Sequence, residues 1–108
     1  MAFLRAIAAT SLGALAVLGP ARADQAALEL GKTVFLETSA PKCALCHTLA
    51  DAGSAGEVGP DLDSLRPDMD RVKTAVIEGI GAMPPNDALT PEQVDAVSLY
   101  VSTVAGRN

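Results

Sequence analysis

Apolar and small residues recur at helical spacing along much of this chain. Between Gln25 and Glu37, the positions Ala27, Gly31, Val34 and Phe35 mark one helix face. Gly31 sits inside that helix, where glycine costs about 1 kcal/mol relative to alanine, so its presence predicts close approach by another helix. Pro41 ends the segment. Asp61 to Leu65 reads as one short helical turn. A further helix is predicted from Asp68, its N-cap, to Ile77 or Glu78, with Met69, Val72, Val76 and Ile80 spaced by three and four. Gly79 and Gly81 stop it, and Met69 reads as core filler. The last helix has the clearest start. Thr90 is the N-cap, Pro91 fits the first turn, and Gln93 completes a capping box. Val97, Tyr100, Val101 and Val104 form its apolar face, and Gly106 stops it. No segment reads as a convincing strand, so the predicted class is all-α.

The N-terminus follows a different pattern. Arg5 precedes an apolar stretch of 13 residues, Ala6 to Leu18; Gly19-Pro20 breaks it, and Ala21-Arg22-Ala23 follows. This is the layout of a secretory signal peptide with an A-x-A cleavage site. The stretch is short for a membrane span, which needs about 20 residues. The expected division is residues 1–23 as a cleaved leader and 24–108 as one domain. Export places the protein in the periplasm.

The domain so defined has 85 residues and only two aromatics, Phe35 and Tyr100. Chains of this size usually need a staple to complete their core. Without Arg5 and Arg22, six basic residues face thirteen acidic ones, a net charge of −7. Such a charge disfavours nucleic acid and anionic membranes and favours partners with a basic patch. The acidic residues are dense at Asp51, Glu57, Asp61, Asp63, Asp68 and Asp70. They read either as a solvated face or as a steering surface.

The candidate chemistry is concentrated in Cys43-Ala44-Leu45-Cys46-His47, which holds both cysteines and the single histidine. Cys-x-x-Cys-His is the attachment pattern of c-type haem. The two thiols suit thioether bonds to the porphyrin, and the imidazole suits an axial position on the iron. A buried haem would also supply the missing apolar volume. The rival readings are a redox dithiol, a zinc site and a plain disulfide. A thioredoxin-type dithiol accompanies a βαβ pattern that is missing here. Structural zinc needs four ligands, and Cys43, Cys46 and His47 give three.

With one imidazole, the second axial ligand must be of another type. Met1 leaves with the leader, and Met69 belongs to a helix face. Met83 stands in a loop before Pro84 and Pro85, and the following proline holds it extended. Met83 is therefore the expected second ligand.

These pieces, in this order, resemble a small class I c-type cytochrome. The resemblance runs from the Gly31 and Phe35 helix, through the Cys43–His47 motif and Gly59-Pro60-Asp61-Leu62, to Gly81-Ala82-Met83-Pro84 and the helix bearing Tyr100. It implies a cytochrome c-like fold of three main helices and short turns wrapped around one covalent haem c. It implies that the Pro60 carbonyl accepts the Nδ1 proton of His47, and that the first and last helices cross with Gly31 opposite Tyr100. Family members often hold the haem propionates with Trp, Tyr or Arg. Trp is missing here, which leaves Arg66 and Arg71 as candidates.

His–Met ligation closes the iron to substrates, so the expected role is one-electron transfer rather than catalysis. The expected partners are redox proteins: a periplasmic dehydrogenase as donor, sulfite dehydrogenases among them, and a terminal oxidase or other cytochrome as acceptor. The protein is expected to be a monomer or a weakly associated subunit, without a stable membrane anchor. The alternatives are a haem-based ligand sensor in which Met83 dissociates, and a haem-free exported thiol–disulfide protein.

Overall fold

A computed structural model describes residues 19–107, together with Ala8 and Gly13. Most of the expected leader lies outside the described residues. The chain forms helix α1 (Pro20–Thr33), a π-type turn (Val34–Thr38) and a short helix α2 (Cys43–Cys46). Strand β1 (Thr48–Leu49), a 3-10 turn (Ala50–Ala52) and strand β2 (Ser54–Ala55) follow. Helices α3 (Leu62–Leu65), α4 (Met69–Glu78) and α5 (Pro91–Val104) complete it. Among the described residues, no helix is long and apolar enough to cross a membrane.

Local chemistry explains most helix ends. Asp61 caps α3 by accepting from the Asp63 and Ser64 amides, and Asp68 caps α4 by accepting from the Arg71 amide. At α5 the Thr90 hydroxyl accepts from the Gln93 amide, and the Gln93 side chain accepts from the Thr90 amide. This is the capping box that the sequence predicts.

Four features differ from the sequence expectation. First, α1 begins at Pro20 rather than Gln25. Proline at the first helical position needs no amide partner, and nothing between it and Gln25 breaks a helix. Second, α1 ends in a wider turn, in which the Ser39 amide reaches back five residues to the Val34 carbonyl at 3.1 Å. Third, a minimal ladder exists: β1 and β2 pair antiparallel, Thr48 with Ala55 and Leu49 with Ser54. Two-residue strands carry too little alternation to be read from sequence. Fourth, Met69 and Ile80 are not core residues, being 38% and 67% exposed. α4 ends at Glu78, before Ile80, and buries only Val76.

The core lies where α1 crosses α5. A Cβ placed on Gly31 would stand 2.2 Å from the Ala96 carbonyl oxygen and 2.5 Å from the Tyr100 Cβ. Only glycine permits that approach. Beside it, Phe35 and Tyr100 meet edge to face at 6.2 Å, a favoured aromatic geometry. Val34, Leu49, Val97 and Val101 close around them. The Tyr100 hydroxyl donates to the Asp51 carboxylate, which also lies 3.7 Å from Lys32 Nζ. Ser98, fully buried, donates to the Val94 carbonyl at 2.7 Å.

Two expectations follow. Gly31→Ala forces the helices apart at this crossing, and overpacking typically costs about 1–3 kcal/mol. Because the clash is with the Ala96 backbone rather than a movable side chain, the upper end applies, and it leaves a net loss of about 1–2 kcal/mol after the alanine propensity gain of about 1 kcal/mol. The melting temperature should fall by roughly 5 °C or more, since 1 kcal/mol is worth about 4–8 °C in a domain of this size; an unchanged or raised value in a thermal melt contradicts the close crossing. Burial, and then the Asp51 contact, hold the Tyr100 hydroxyl well above the usual tyrosine pKa. Its proton is bound more tightly in the folded state. This contribution is whole below about pH 10 and is lost as pH rises through the raised folded value. Melts at increasing pH should therefore show a steeper alkaline loss for wild type than for Tyr100→Phe, and the phenolate absorbance of the single tyrosine should appear only with unfolding.

Candidate functional site

The Cys-x-x-Cys segment is itself α2, one helical turn. A single turn puts both sulfurs on one side of the chain. Cys43 is fixed from Ser39, whose hydroxyl accepts from the Cys43 amide at 3.1 Å and lies 3.3 Å from its Sγ. Ser39 is buried. No disulfide joins Cys43 to Cys46. Burial pushes the Cys43 thiol pKa up, outweighing the Ser39 hydroxyl that pulls it down. A nucleophilic redox cysteine needs the opposite shift.

His47 follows α2 directly in extended conformation. Its Nδ1 lies 2.8 Å from the Pro60 carbonyl oxygen. A carbonyl only accepts, so Nδ1 carries a proton, and in the neutral ring this leaves the lone pair on Nε2. That is the tautomer a metal-binding imidazole requires. The β1–β2 turn brings the 56–60 segment back across the motif, and the Gly59 amide donates to the Cys46 carbonyl at 2.7 Å. A Cβ on Gly59 would stand 2.6 Å from His47 Cε1. Any larger residue would drive the ring out of place.

Met83 closes a tight turn. Its amide donates to the Ile80 carbonyl at 2.9 Å, and the Ile80 amide donates back to the Met83 carbonyl at 3.0 Å. The turn is anchored by a residue that sequence reasoning missed, the buried Asn86. The Asn86 amide donates to the Val76 carbonyl at 2.9 Å, and its side-chain oxygen accepts from the Ala40 amide at 2.9 Å. It thereby ties the Met83 segment to the end of α4 and to the chain just before Cys43. A polar residue after Met83-Pro84-Pro85 was the available signal, but its partners are distant in sequence.

These side chains meet at one cavity of about 710 Å³. Cys43, Cys46, His47, Pro60 and Met83 line it, with Phe35, Leu62, Val76, Val97 and Val101 as apolar wall. The volume falls within the range of about 300–1,000 Å³ expected of a cofactor site. Arg71 also lines it, whereas Arg66 does not; its guanidinium instead donates to the Gly106 carbonyl at 3.3 Å. Arg66 has a left-handed backbone that ends α3. Two cysteine sulfurs, an imidazole and a thioether around an apolar slot fit a thiol-anchored haem. Among the described residues, no group of three or more His, Cys, Asp or Glu side chains is placed to hold a bare metal ion.

Most of the acidic cluster has local work. Asp51 accepts from Tyr100, Asp61 and Asp68 cap helices, and Asp63 accepts from the Ala50 and Gly106 amides. Glu57 and Asp70 are left with exposed side chains and no such bond among the described residues.

Comparisons with known proteins show the family to which the chain belongs. The family model described as cytochrome C oxidase, cbb3-type, subunit III matches residues 26–101. No curated protein matches the chain. Among solved structures, the chain is similar to the c-type cytochrome SorU from Sinorhizobium meliloti. Identity is 63%, covering 76% of this chain and 94% of that one, with a TM-score of 0.75. The chain belongs to the c-type cytochrome family: it carries covalently bound haem c and is an electron-transfer protein, not an enzyme.

Proposed function

We propose that the protein is an exported, periplasmic electron carrier in which Cys43 and Cys46 hold the haem by thioether bonds and His47 and Met83 are the axial ligands. The observation that carries this reading is the convergence of all four side chains on one apolar cavity. The Nδ1 bond to Pro60 supports His47 as a ligand, because it orients the ring and raises the basicity of Nε2. The reciprocal Ile80–Met83 turn and the Asn86 anchor support Met83, because they hold the thioether without help from the ring. Arg71, on the cavity wall, is the proposed propionate partner. The haem, when bound, supplies the Fe(II)/Fe(III) couple, and methionine ligation favours the reduced state.

Export rests on the leader pattern of residues 1–23 and its Ala21-Arg22-Ala23 site. The proposed donor is a periplasmic dehydrogenase, a sulfite dehydrogenase being one candidate, and the acceptor is a terminal oxidase or another cytochrome. The negative net charge supports partners with a basic docking patch.

Optical spectroscopy tests the ligand set. The native protein should be low-spin in both redox states, should show the iron–sulfur charge-transfer band when oxidised, and should resist CO when reduced. Met83→Ala should abolish that band and admit CO. Rapid CO binding by the native protein would favour the sensor reading, in which Met83 dissociates. The partner reading is tested by stopped-flow electron transfer from a candidate donor. The second-order rate should fall steeply as ionic strength rises, and Glu57→Gln with Asp70→Asn should flatten that dependence. A rate indifferent to salt removes the steering role.

A further inference from the structure

We infer that Asp63 is a positioning residue for the His47–Pro60 hydrogen bond and couples it to the C-terminal end of α5. The inference rests on the proposed role of His47 as an iron ligand. Two segments face each other across the bond, and they are joined at three places with the same offset. The Gly59 amide donates to the Cys46 carbonyl at 2.7 Å. His47 Nδ1 donates to the Pro60 carbonyl at 2.8 Å, and the Ala50 amide donates to Asp63 Oδ2 at 2.8 Å. Each pair spans 13 residues of sequence. The His47–Pro60 bond is the middle rung, held on one side by backbone and on the other by a single carboxylate.

That carboxylate does more than close the ladder. Asp63 Oδ1 accepts from the Gly106 amide at 2.8 Å, just past α5. Its own amide is held by Asp61 Oδ1 at 2.9 Å, within the turn that begins at Pro60. The direction of the Pro60 carbonyl is set by the backbone torsions on either side of it. Anchoring residues 59 and 63 narrows the range of those torsions. Both partners of the Asp63 carboxylate are N–H donors, so two acceptor oxygens are required. An amide offers one oxygen, and its NH2 would face a second donor.

The test is hydrogen exchange at the His47 Nδ1–H, followed by NMR in the reduced, haem-loaded full-length protein. Asp63→Asn should accelerate exchange at least about tenfold, as expected for loss of one hydrogen bond to a charged group. Asp51→Asn is the control. It removes the same charge beside the Tyr100 hydroxyl, whose bond the remaining amide oxygen can still accept, and it touches no rung, so exchange should stay within about twofold of wild type. Equal acceleration in both variants, or none in Asp63→Asn, overturns the inference. If Asp63→Asn does not accumulate, Asp63→Glu takes its place. It keeps the charge and displaces the carboxylate by one methylene, and it carries the same expected and overturning outcomes. The wild-type absorption spectrum separates the two failures. An absent His–Met spectrum removes the ligand reading, whereas the exchange comparison reads the His47–Pro60 bond with either ligand set.

Discussion

The contact on which the rest of the molecule depends is the crossing of α1 and α5 at Gly31. Missing one side chain there, the two helices approach until backbone meets backbone near Ala96. The crossing clasps elements from opposite ends of the described chain. Phe35, Tyr100 and the valines beside them make one continuous core among the described residues. Everything between residues 39 and 89 is then strung from this clasp. Its inner surface faces a cavity rather than a second packed layer. The fold therefore has a cofactor-sized gap where a larger protein would have more side chains, and the haem of a c-type cytochrome fills that kind of gap.

The loops around the cavity are tied to one another by polar contacts, beside the apolar wall that the helices supply. Ser39 fixes Cys43, Asn86 joins the Met83 segment to Ala40, and Asp63 joins the chain after His47 to the chain after Pro60. Each is a side chain satisfying a backbone group that no regular ladder reaches. The acidic residues belong to the same system. Asp51, Asp61, Asp63 and Asp68 give their oxygens to partners within the fold. They still contribute charge to the field seen by a partner, but their positions are dictated by the backbone around them.

Several elements were legible from sequence because their causes are local. Asp61, Asp68 and Thr90 each cap a helix through a bond within three residues, and the Thr90–Gln93 box needs no tertiary contact. Gly31 was legible as a close approach because glycine in a helix demands a reason. Met69 and Ile80 were misread because periodicity tells which residues share a face, not whether another element covers that face. Arg66 and Arg71 were indistinguishable as cavity residues. Only the left-handed turn at Arg66, which sends its guanidinium to Gly106, separates them. Asn86 carried no pattern of its own, since its partners Ala40 and Val76 are distant along the chain.

By itself the sequence determined the chemistry: two thiols and an imidazole in five residues, a thioether before two prolines, and helices with signed ends. These depend on covalent order and on bonds a few residues long. The tertiary structure decided the tautomer of His47, the convergence of Met83 on the same cavity and the division of the acidic residues between structure and surface. Those depend on hydrogen bonds between distant segments, whose partners exist only once the α1–α5 crossing has brought the loops together.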